Sequence, residues 1–262
     1  MNEAVERAHT HGIVTCTSLM VGAAAAADAV DRARRLPRLA VGLHLTLVDG
    51  MPTLPPERVQ ALVGDDGRFP ADPYRQGVRI FCSAAARSQL AAEIRAQLDA
   101  FRATGLSLDH VDGHHHFHLH PVVQRVLIRL AAEYGIRAVR VPREAIKIAS
   151  KPPLERWTMA VAASHLHRRL GRAGIAANDA FFGLSESGQT PLQSFFASLS
   201  RLAARVNEIC LHPVSRRWQP GDPWSANYDG FGELQALLDP ALHAAVARLG
   251  IRLATFATAW PL

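Results

Sequence analysis

Five of the chain's thirteen histidines lie within the seven positions 114–120. The residues before them read as a strand, and in an extended backbone successive side chains alternate between faces. His114, His116 and His118 are therefore predicted to project to one side, and His115 and Phe117 to the other. Neutral imidazoles suit Zn, Fe, Ni or Cu, and a metal held in this way can activate water near neutral pH. The segment indicates metal chemistry.

The alternative for this segment is a purification tag or a disordered tract that binds metal without purpose. A tag would lie at a terminus, whereas these histidines are internal. Pro121 follows them and opens a segment with apolar residues at helical spacing. A strand, a polar cluster and a helix in succession are typical of a β/α unit, where enzymes place their sites. The context favours a functional site.

The composition is that of a globular protein kept in a reducing compartment. The chain has 262 residues, 48% of them hydrophobic, and only three cysteines, which are far apart. An odd number of scattered cysteines gives no disulfide framework. No apolar run approaches the length of a membrane span, and the acidic N-terminus does not resemble a signal peptide. We therefore expect a cytoplasmic protein.

The net charge of +6 raises the question of a nucleic-acid partner. The arginines are scattered among acidic residues, and there is no alternation of basic and aromatic side chains that would bind a strand. We therefore expect no nucleic-acid partner. Peripheral contact of a basic face with an anionic membrane stays open.

Strand-like and helical segments alternate along the chain. This order predicts an α/β fold with mostly parallel strands, and the number of units favours a (β/α) barrel-like architecture. A proline-rich and glycine-rich loop, 48–74, is long enough to cover a site. The predicted strands are 13–19, 39–47, 106–116, 136–142, 179–184, 207–213 and 252–260, and the predicted helices are 2–11, 24–36, 84–104, 121–134, 157–169, 193–204 and 234–249.

Polar residues follow the C-terminal ends of separate predicted strands. In a barrel of parallel strands these ends meet at one rim, where enzymes assemble chemistry from distant parts of the sequence. The candidate site residues that meet this description are His44, His114, His116, Arg140 and His212.

Three motifs resemble the YdjC-like carbohydrate deacetylases. They are Gly42-Leu-His44-Leu, the segment His110-Val-Asp112-Gly-His114-His-His116-Phe-His118-Leu-His-Pro121, and Glu208-Ile-Cys-Leu-His212-Pro213. They occur in family order, and the resemblance spans essentially the whole chain. Together with Phe182-Gly-Leu184, the histidine-rich segment is similar to the hopanoid-biosynthesis-associated branch.

The resemblance implies a role for each matching residue. His44 and His114 match the family's two histidine ligands for a divalent cation, Mg or Zn. His212 matches the catalytic histidine, an acid or a stabiliser of the transition state. His116 and Arg140 are carried over as substrate-binding residues.

Asp112 has two open roles, since it either accepts a histidine ring N–H or binds the metal. The sequence departs from the family pattern at its start. It begins inside the helix that follows the family's first strand, so the resemblance predicts a single domain, 1–262, that is N-terminally truncated and lacks that strand and its paired aspartates. A metal ligand and the catalytic base would be missing with them.

The implied activity is hydrolysis of the N-acetyl group of an amino sugar, with an N-acetylglucosaminyl hopanoid lipid as the narrower substrate. Two alternatives stay open: a metal-dependent phosphoester hydrolase, which would need more carboxylate ligands than the sequence offers, and an inactive metal-binding barrel. A homodimer is also open.

Overall fold

The computed structural model describes residues 1–144, 154–184, 192–202, 204–220, 222 and 227–260. Its elements, in chain order, are α1 (Asn2–Thr10), β1 (Cys16–Leu19), α2 (Ala26–Arg35), β2 (Ala40–Leu45), α3 (Pro73–Cys82), α4 (Ala84–Ala103), β3 (Leu108–Gly113), α5 (Pro121–Tyr134), α6 (Leu154–Arg172), β4 (Ala180–Phe182), α7 (Leu192–Leu199), β5 (Asn207–Ile209), α8 (Gly230–Leu238), α9 (Pro240–Arg248) and α10 (Phe256–Ala259).

The long helices beside the site begin and end where local chemistry dictates. The Ser83 hydroxyl accepts the Ala86 N–H at the start of α4. Helix α5 begins with Pro121, whose missing N–H costs nothing at a first turn, and it is ended by Gly135 in the left-handed region at φ 65°. Helix α5 therefore has fixed limits at both ends, and residues 114–120 separate it from the last residue of β3.

The strands are parallel and follow one another in space. Strand β2 lies between β1 and β3, and β4 pairs with β5 in a second small sheet. Single bridges join Val111 to Val139 and Ala138 to Ala176, so the segments between the two sheets continue the same parallel order. The C-terminal ends of β1, β2 and β3 therefore share one edge.

The prediction of a barrel is only partly confirmed. The α/β class and the parallel strands are present, but among the described residues the sheets are small and do not close on themselves. Segment 136–142 makes isolated bridges instead of a ladder, because the Asn178 amide takes the place of a neighbouring strand. It accepts the Val141 N–H at 2.7 Å and donates to the Val141 carbonyl at 2.9 Å.

Two further sequence predictions are wrong at the C-terminal side. Segment 252–260 is not a strand, because Thr255 and Thr258 form a capping box that starts helix α10. Segment 234–249 is two helices, since the Asp239 carboxylate accepts the Ala241 N–H and Pro240 opens a new helix. The predicted helix 193–204 ends as α7 at Leu199. Part of the middle region, 145–153, lies outside the described residues.

The apolar residues form two separate clusters. The first packs β1, β2 and β3 against helices α2 to α6 and includes Leu43, Leu90 and Phe101. The second joins α1 to helices α7, α8 and α9 and includes Phe195 and Leu234. Helix α3, which the sequence pattern does not reveal, contributes Ile80 to the first cluster. No helix of the described residues is both long enough and apolar enough to cross a bilayer.

Candidate active site

His44 and Asp112 lie side by side at the shared edge of β2 and β3. Their Cα atoms are register partners in the parallel ladder, so both side chains point to the same side of the sheet. The His44 Nδ1 lies 2.8 Å from the Asp112 Oδ1. Because an ionised carboxylate only accepts hydrogen bonds, Nδ1 carries the proton and Nε2 keeps its lone pair. This is the tautomer that a metal-binding histidine requires.

Asp112 is fully buried, and its carboxylate accepts hydrogen bonds from three side chains. His44 donates to Oδ1, while the Ser18 hydroxyl at 3.0 Å and the Arg140 guanidinium donate to Oδ2. Burial by itself would raise the pKa of Asp112, but the Arg140 charge and the neighbouring His44, which donates a hydrogen bond to Asp112, outweigh it and hold the pKa well below its ordinary value. Of its two open roles, the geometry matches the one in which Asp112 orients a histidine.

The histidine-rich segment is not an extended strand, so the predicted alternation of faces is wrong. Strand β3 ends at Gly113, and His114–Leu119 is a 3₁₀ segment in which His115 and His116 have φ of 49° and 55°. His118 turns inward and bonds the Arg140 carbonyl through Nε2 at 2.9 Å. The left-handed backbone places His114 and His116 in different surroundings instead of on one face.

His44 and His114 nevertheless meet. Their ring centroids are 5.5 Å apart and their planes make an angle of 69°. Burial, followed by the proximity of His44, lowers the pKa of His114 to about 4. A neutral His114 imidazole at neutral pH is a competent metal ligand. The structure therefore brings together the two residues predicted to be metal ligands.

His212 follows β5. Burial lowers its pKa to about 4, and the next cause is the nearby His44 ring. Its backbone N–H donates to the buried Glu233 carboxylate of α8 at 2.6 Å. The Nδ1 atom of His212 is buried and has no hydrogen-bond partner among the described residues.

Arg140 lies between two carboxylates and not in open space. Its Nε donates to the Glu208 Oε1 at 2.7 Å, another guanidinium nitrogen donates to Asp112, and the guanidinium carbon lies 5.8 Å from the Phe181 ring centroid. His116 packs edge-on against the same Phe181 ring at 5.7 Å. A substrate contact of Arg140 or His116 stays a prediction. Through its bonds to Asp112 and Glu208, Arg140 links β3 to β5.

Within the part of the chain that the structure describes, two groups of side chains have spacing that could hold a cation. The donor atoms of Asp49, His114 and His115 lie within 4.8 Å of one another, and this group includes a predicted ligand. The second group joins Cys16 to Asp109 and His110. Burial raises the pKa of the Cys16 thiol to about 12, so the thiol is protonated at neutral pH in the metal-free protein.

Sequence reasoning missed the polar partners of the predicted ligands. Ser18 on β1 donates directly to Asp112, and His110 on β3 bonds the Ser18 hydroxyl, whereas Asp49 lies in the loop after β2. A hydroxyl one residue from the C-terminal end of a predicted strand is a signal that could have identified Ser18. Glu208 lies inside a recognised motif, but its bond to Arg140 depends on the packing of β5.

Comparisons with known proteins show similarity to carbohydrate deacetylases. A carbohydrate deacetylase from Mus musculus is 31% identical to this chain over 277 residues, covering 96% of this chain and 88% of that protein. A chitooligosaccharide deacetylase from Klebsiella pneumoniae is 29% identical, covering 97% and 92%. A carbohydrate deacetylase from Brevibacillus brevis is 39% identical over 142 residues, and the match spans about half of its length, 54%.

A solved structure shares the fold. It belongs to a candidate cellobiose-phosphate cleavage protein from Enterococcus faecalis, with a TM-score of 0.74 over 97% of this chain and 91% of that one, at 22% identity. The family model for the YdjC-like proteins matches residues 1–248, nearly the whole chain. The chain belongs to the YdjC-like protein family.

Proposed function

We propose that the protein is a deacetylase that uses a divalent cation to hydrolyse the N-acetyl group of an amino sugar. The observation that carries the proposal is the facing pair of His44 and His114, with the Nδ1 of His44 fixed by Asp112. Relatives that are carbohydrate and chitooligosaccharide deacetylases support the substrate class.

The donor set fits a cation of borderline softness. Imidazole nitrogens suit Zn better than Mg, which prefers carboxylates and water, so we propose Zn ahead of Mg. When bound, the cation supplies the positive charge that lowers the pKa of water and polarises the acetyl carbonyl. Asp49 and His115 lie on the open side of His114, with their carboxylate oxygen and ring nitrogen 3.4 Å apart, and the side chains are about half exposed.

His212 is proposed to stabilise the carbonyl oxygen as negative charge develops on it. With a pKa lowered to about 4 by burial, the ring is neutral at pH 7 and has no extra proton to release. A neutral imidazole still donates one N–H, and such a donor contributes most where water is excluded. Of the two roles implied by the family, stabilisation fits this ring better than acid catalysis.

Asp112 is not proposed as the base that removes a proton from water. Its carboxylate already accepts three hydrogen bonds, and its depressed pKa makes it a weak proton acceptor. We propose that Asp112 holds His44 in place and that Arg140 in turn holds Asp112. His116, whose Nδ1 is buried without a partner among the described residues, is the better candidate for a contact with the sugar.

We further propose that the acetylated sugar is presented on a lipid, as the resemblance to the hopanoid branch implies. Helix α3 supports this extension, because Tyr74, Val78 and Phe81 are 62%, 65% and 66% exposed on one face. The helix lies beside the site, since the Gln76 amide donates to the Leu47 carbonyl and Gly77 adjoins the His120 ring. An apolar stripe in this place suits an acyl or isoprenoid surface.

The test of the activity is acetate release from N,N′-diacetylchitobiose, with and without chelator. We expect the chelator to abolish release, His114→Ala to lower kcat/KM by at least about 100-fold, and His212→Gln to lower kcat by about 100-fold to 1,000-fold. The exposed His243 on α9 provides a matched control, because His243→Ala removes a ring far from the site.

Phosphate release from a monoester without any acetate release would replace the proposal by the phosphoesterase alternative. The lipid extension has its own readout. Vesicles that carry an N-acetylglucosaminyl lipid should be deacetylated more slowly by Val78→Asp, while the soluble disaccharide is deacetylated at the wild-type rate. Equal rates for both substrates would contradict the lipid extension and leave the deacetylase assignment standing.

A further inference from the structure

A continuous chain of hydrogen bonds runs under the site and ends at His44. The Asp109 Oδ2 lies 3.0 Å from the His110 Nδ1, and the His110 Nε2 lies 3.1 Å from the Ser18 Oγ. The Ser18 hydroxyl donates to the Asp112 Oδ2 at 3.0 Å, and the Asp112 Oδ1 accepts from the His44 Nδ1 at 2.8 Å. Three strands contribute to this chain, and its members are distant in sequence.

The direction of each bond follows from the number of protons available. Asp112 is a carboxylate and cannot donate, so the single Ser18 proton is given to it. Ser18 must then accept from the His110 Nε2. The other His110 nitrogen faces the Asp109 carboxylate, which also accepts the Phe256 N–H at 3.3 Å and the Ala257 N–H at 3.0 Å. Both nitrogens of His110 are therefore placed to donate.

We propose that Ser18 and His110 are positioning residues for the cation centre, acting through Asp112 on His44. This inference depends on the proposed cation at His44 and His114. Ser18 fixes the plane of the Asp112 carboxylate, so that Oδ1 faces the His44 Nδ1–H. His44 is thereby held as the tautomer whose Nε2 lone pair is available. Without the serine proton, Arg140 alone holds Oδ2, and the orientation of His44 is determined less tightly.

The chain of hydrogen bonds depends on the space left by one glycine, Gly42. Gly42 lies on β2, between Ser18 of β1 and His110 of β3, and it is the register partner of Ser18. A Cβ at Gly42 would lie 2.6 Å from the His110 ring. Only a residue without a side chain lets the imidazole reach across β2 to the serine. The Phe256 ring stacks on the His110 ring with centroids 4.6 Å apart. The ring is therefore clamped between β2 and α10.

The distribution of charge also favours a role in cation binding. The cluster of Asp109, Asp112 and Glu208 carries three carboxylates, and Arg140 donates to two of them. These carboxylates lie beneath His44, where their negative charge would attract a divalent cation. A buried ionic cluster is a poor source of stability compared with apolar packing, so its presence is better explained by orientation of the ligands.

The most direct test is nitrogen NMR of the histidine rings in the metal-free protein. We expect both ring nitrogens of His110 to be protonated, and His44 to be protonated at Nδ1 alone. In Ser18→Cys, whose thiol is close in size but is a weak donor, His44 should become a mixture of tautomers. One unprotonated nitrogen on His110, or an unchanged His44 in Ser18→Cys, overturns the proposal.

The second test is binding of Zn²⁺ alone, measured by competition with a chromophoric chelator. We expect Ser18→Cys and Ser18→Ala to weaken binding by about 10-fold to 100-fold, the range typical for residues that orient a ligand. Ser18→Thr retains the hydroxyl and should recover most of the affinity. Thr17→Ala is the matched control, because it deletes a hydroxyl from the neighbouring position of β1, which faces the other side of the sheet.

Failure of this role is distinguishable from failure of the cation centre. If wild-type protein and His44→Ala bind Zn²⁺ equally poorly, the cation centre itself is wrong and the positioning role is overturned with it. If wild-type protein binds tightly and Ser18→Cys binds equally tightly, only the positioning role is overturned. A fall in affinity of the same size in Thr17→Ala would also overturn it, since the effect would then be general damage to β1.

Discussion

The two sides of the site differ in whether their buried polar atoms have hydrogen-bond partners. On the β1–β3 side, formed by Ser18, His110 and Asp112, each ring nitrogen and carboxylate oxygen has a hydrogen-bond partner. On the β4–β5 side, the described residues His116, Glu208 and His212 each keep one buried polar atom without a partner. Leaving a buried polar atom unpaired costs about 1 to 3 kcal/mol, which a protein retains where a ligand makes use of the atom.

This difference indicates that the two sides of the site have different roles. Saturated bonds fix the direction of a side chain, so the β1–β3 side is suited to hold a cation ligand in one orientation. Unsatisfied donors and acceptors can form bonds that arise only when a substrate arrives, so the β4–β5 side is suited to a polar sugar. Arg140 connects the sides by donating to both Asp112 and Glu208.

Removing the connection between the two sides should have the largest effect. Arg140→Met leaves Asp112 and Glu208 buried without their cation, and loss of one partner of a buried ion pair costs about 3 to 5 kcal/mol. Urea unfolding followed by circular dichroism measures this change in the free energy of unfolding. Arg137→Met is the control, because Arg137 is exposed on the same segment. A loss below about 1 kcal/mol would show that the sides are not coupled through Arg140.

Truncating each apolar cluster in turn tests whether the two sides are supported separately. Leu43→Ala and Leu234→Ala each delete a fully buried side chain, and each should cost about 2 to 5 kcal/mol. Leu234 lies on α8, which also carries the Glu233 carboxylate that accepts the His212 N–H.

Hydrogen exchange distinguishes the two truncations. In Leu234→Ala we expect faster exchange in β5 and at His212, with β2 protected as in the wild type, since cooperative units open separately. Faster exchange in both sheets at once would mean that the clusters form a single cooperative unit and that the comparison does not extend to stability.

Acid should weaken the β4–β5 side before the β1–β3 side. Burial lowers the pKa of His212 to about 4 from 6.5, so the unfolded chain binds more protons between those values and stability falls as pH decreases from 6.5 to about 4. The pKa of Asp112 is depressed below 3.8, so its contribution is lost only as pH falls below that value.

Urea unfolding at pH 7.5 and pH 5 measures the first of these losses. Wild type should lose about 1 to 2 kcal/mol more than His212→Gln over this interval, because the variant lacks the titrating ring. An identical loss in both proteins would contradict a buried, neutral His212. Asp112→Asn should not change the loss over the same interval.

Helix caps should give the smallest effects, of similar size in the two clusters. The Ser83 hydroxyl accepts the Ala86 N–H at the start of α4, and the Asp239 carboxylate accepts the Ala241 N–H at the start of α9. Ser83→Ala and Asp239→Ala should each cost about 1 kcal/mol in thermal unfolding. A cost near zero for only one of them would indicate that the helix in question frays already.

Elements with a local cause could be predicted from the sequence. Helix α5 is bounded by Pro121 and Gly135, and its apolar residues recur at helical spacing, so its limits match the prediction. Strand β2 was placed within two residues at each end. The break between α8 and α9 was missed although Asp239 and Pro240 signal it, because the apolar period continues across the break.

Features that depend on distant partners could not be predicted. The left-handed turn at His115 and His116 follows a strand whose pattern continues past Gly113, and His118 is turned inward by the Arg140 carbonyl. Helix α10 begins where the Asp109 carboxylate accepts two backbone N–H groups from more than 140 residues away. No local period encodes such a bond.

The sequence predicts which residues lie in the candidate site better than it predicts the hydrogen bonds between them. The positions of His44 and His114 at the ends of neighbouring strands place them together, and their rings are 5.5 Å apart. The roles of Ser18 and His110 depend on the register of three strands and on the space at Gly42, which one sequence does not specify.

The positive φ of His115 and His116 has a consequence for any effort to improve this protein. Most side chains with a Cβ are strained there, whereas glycine adopts this conformation freely and asparagine more readily than most other residues. Variants selected for heat resistance should accumulate glycine or asparagine at these two positions. Variants selected for turnover should retain the imidazole of His116. The two selections are therefore expected to favour different residues at position 116.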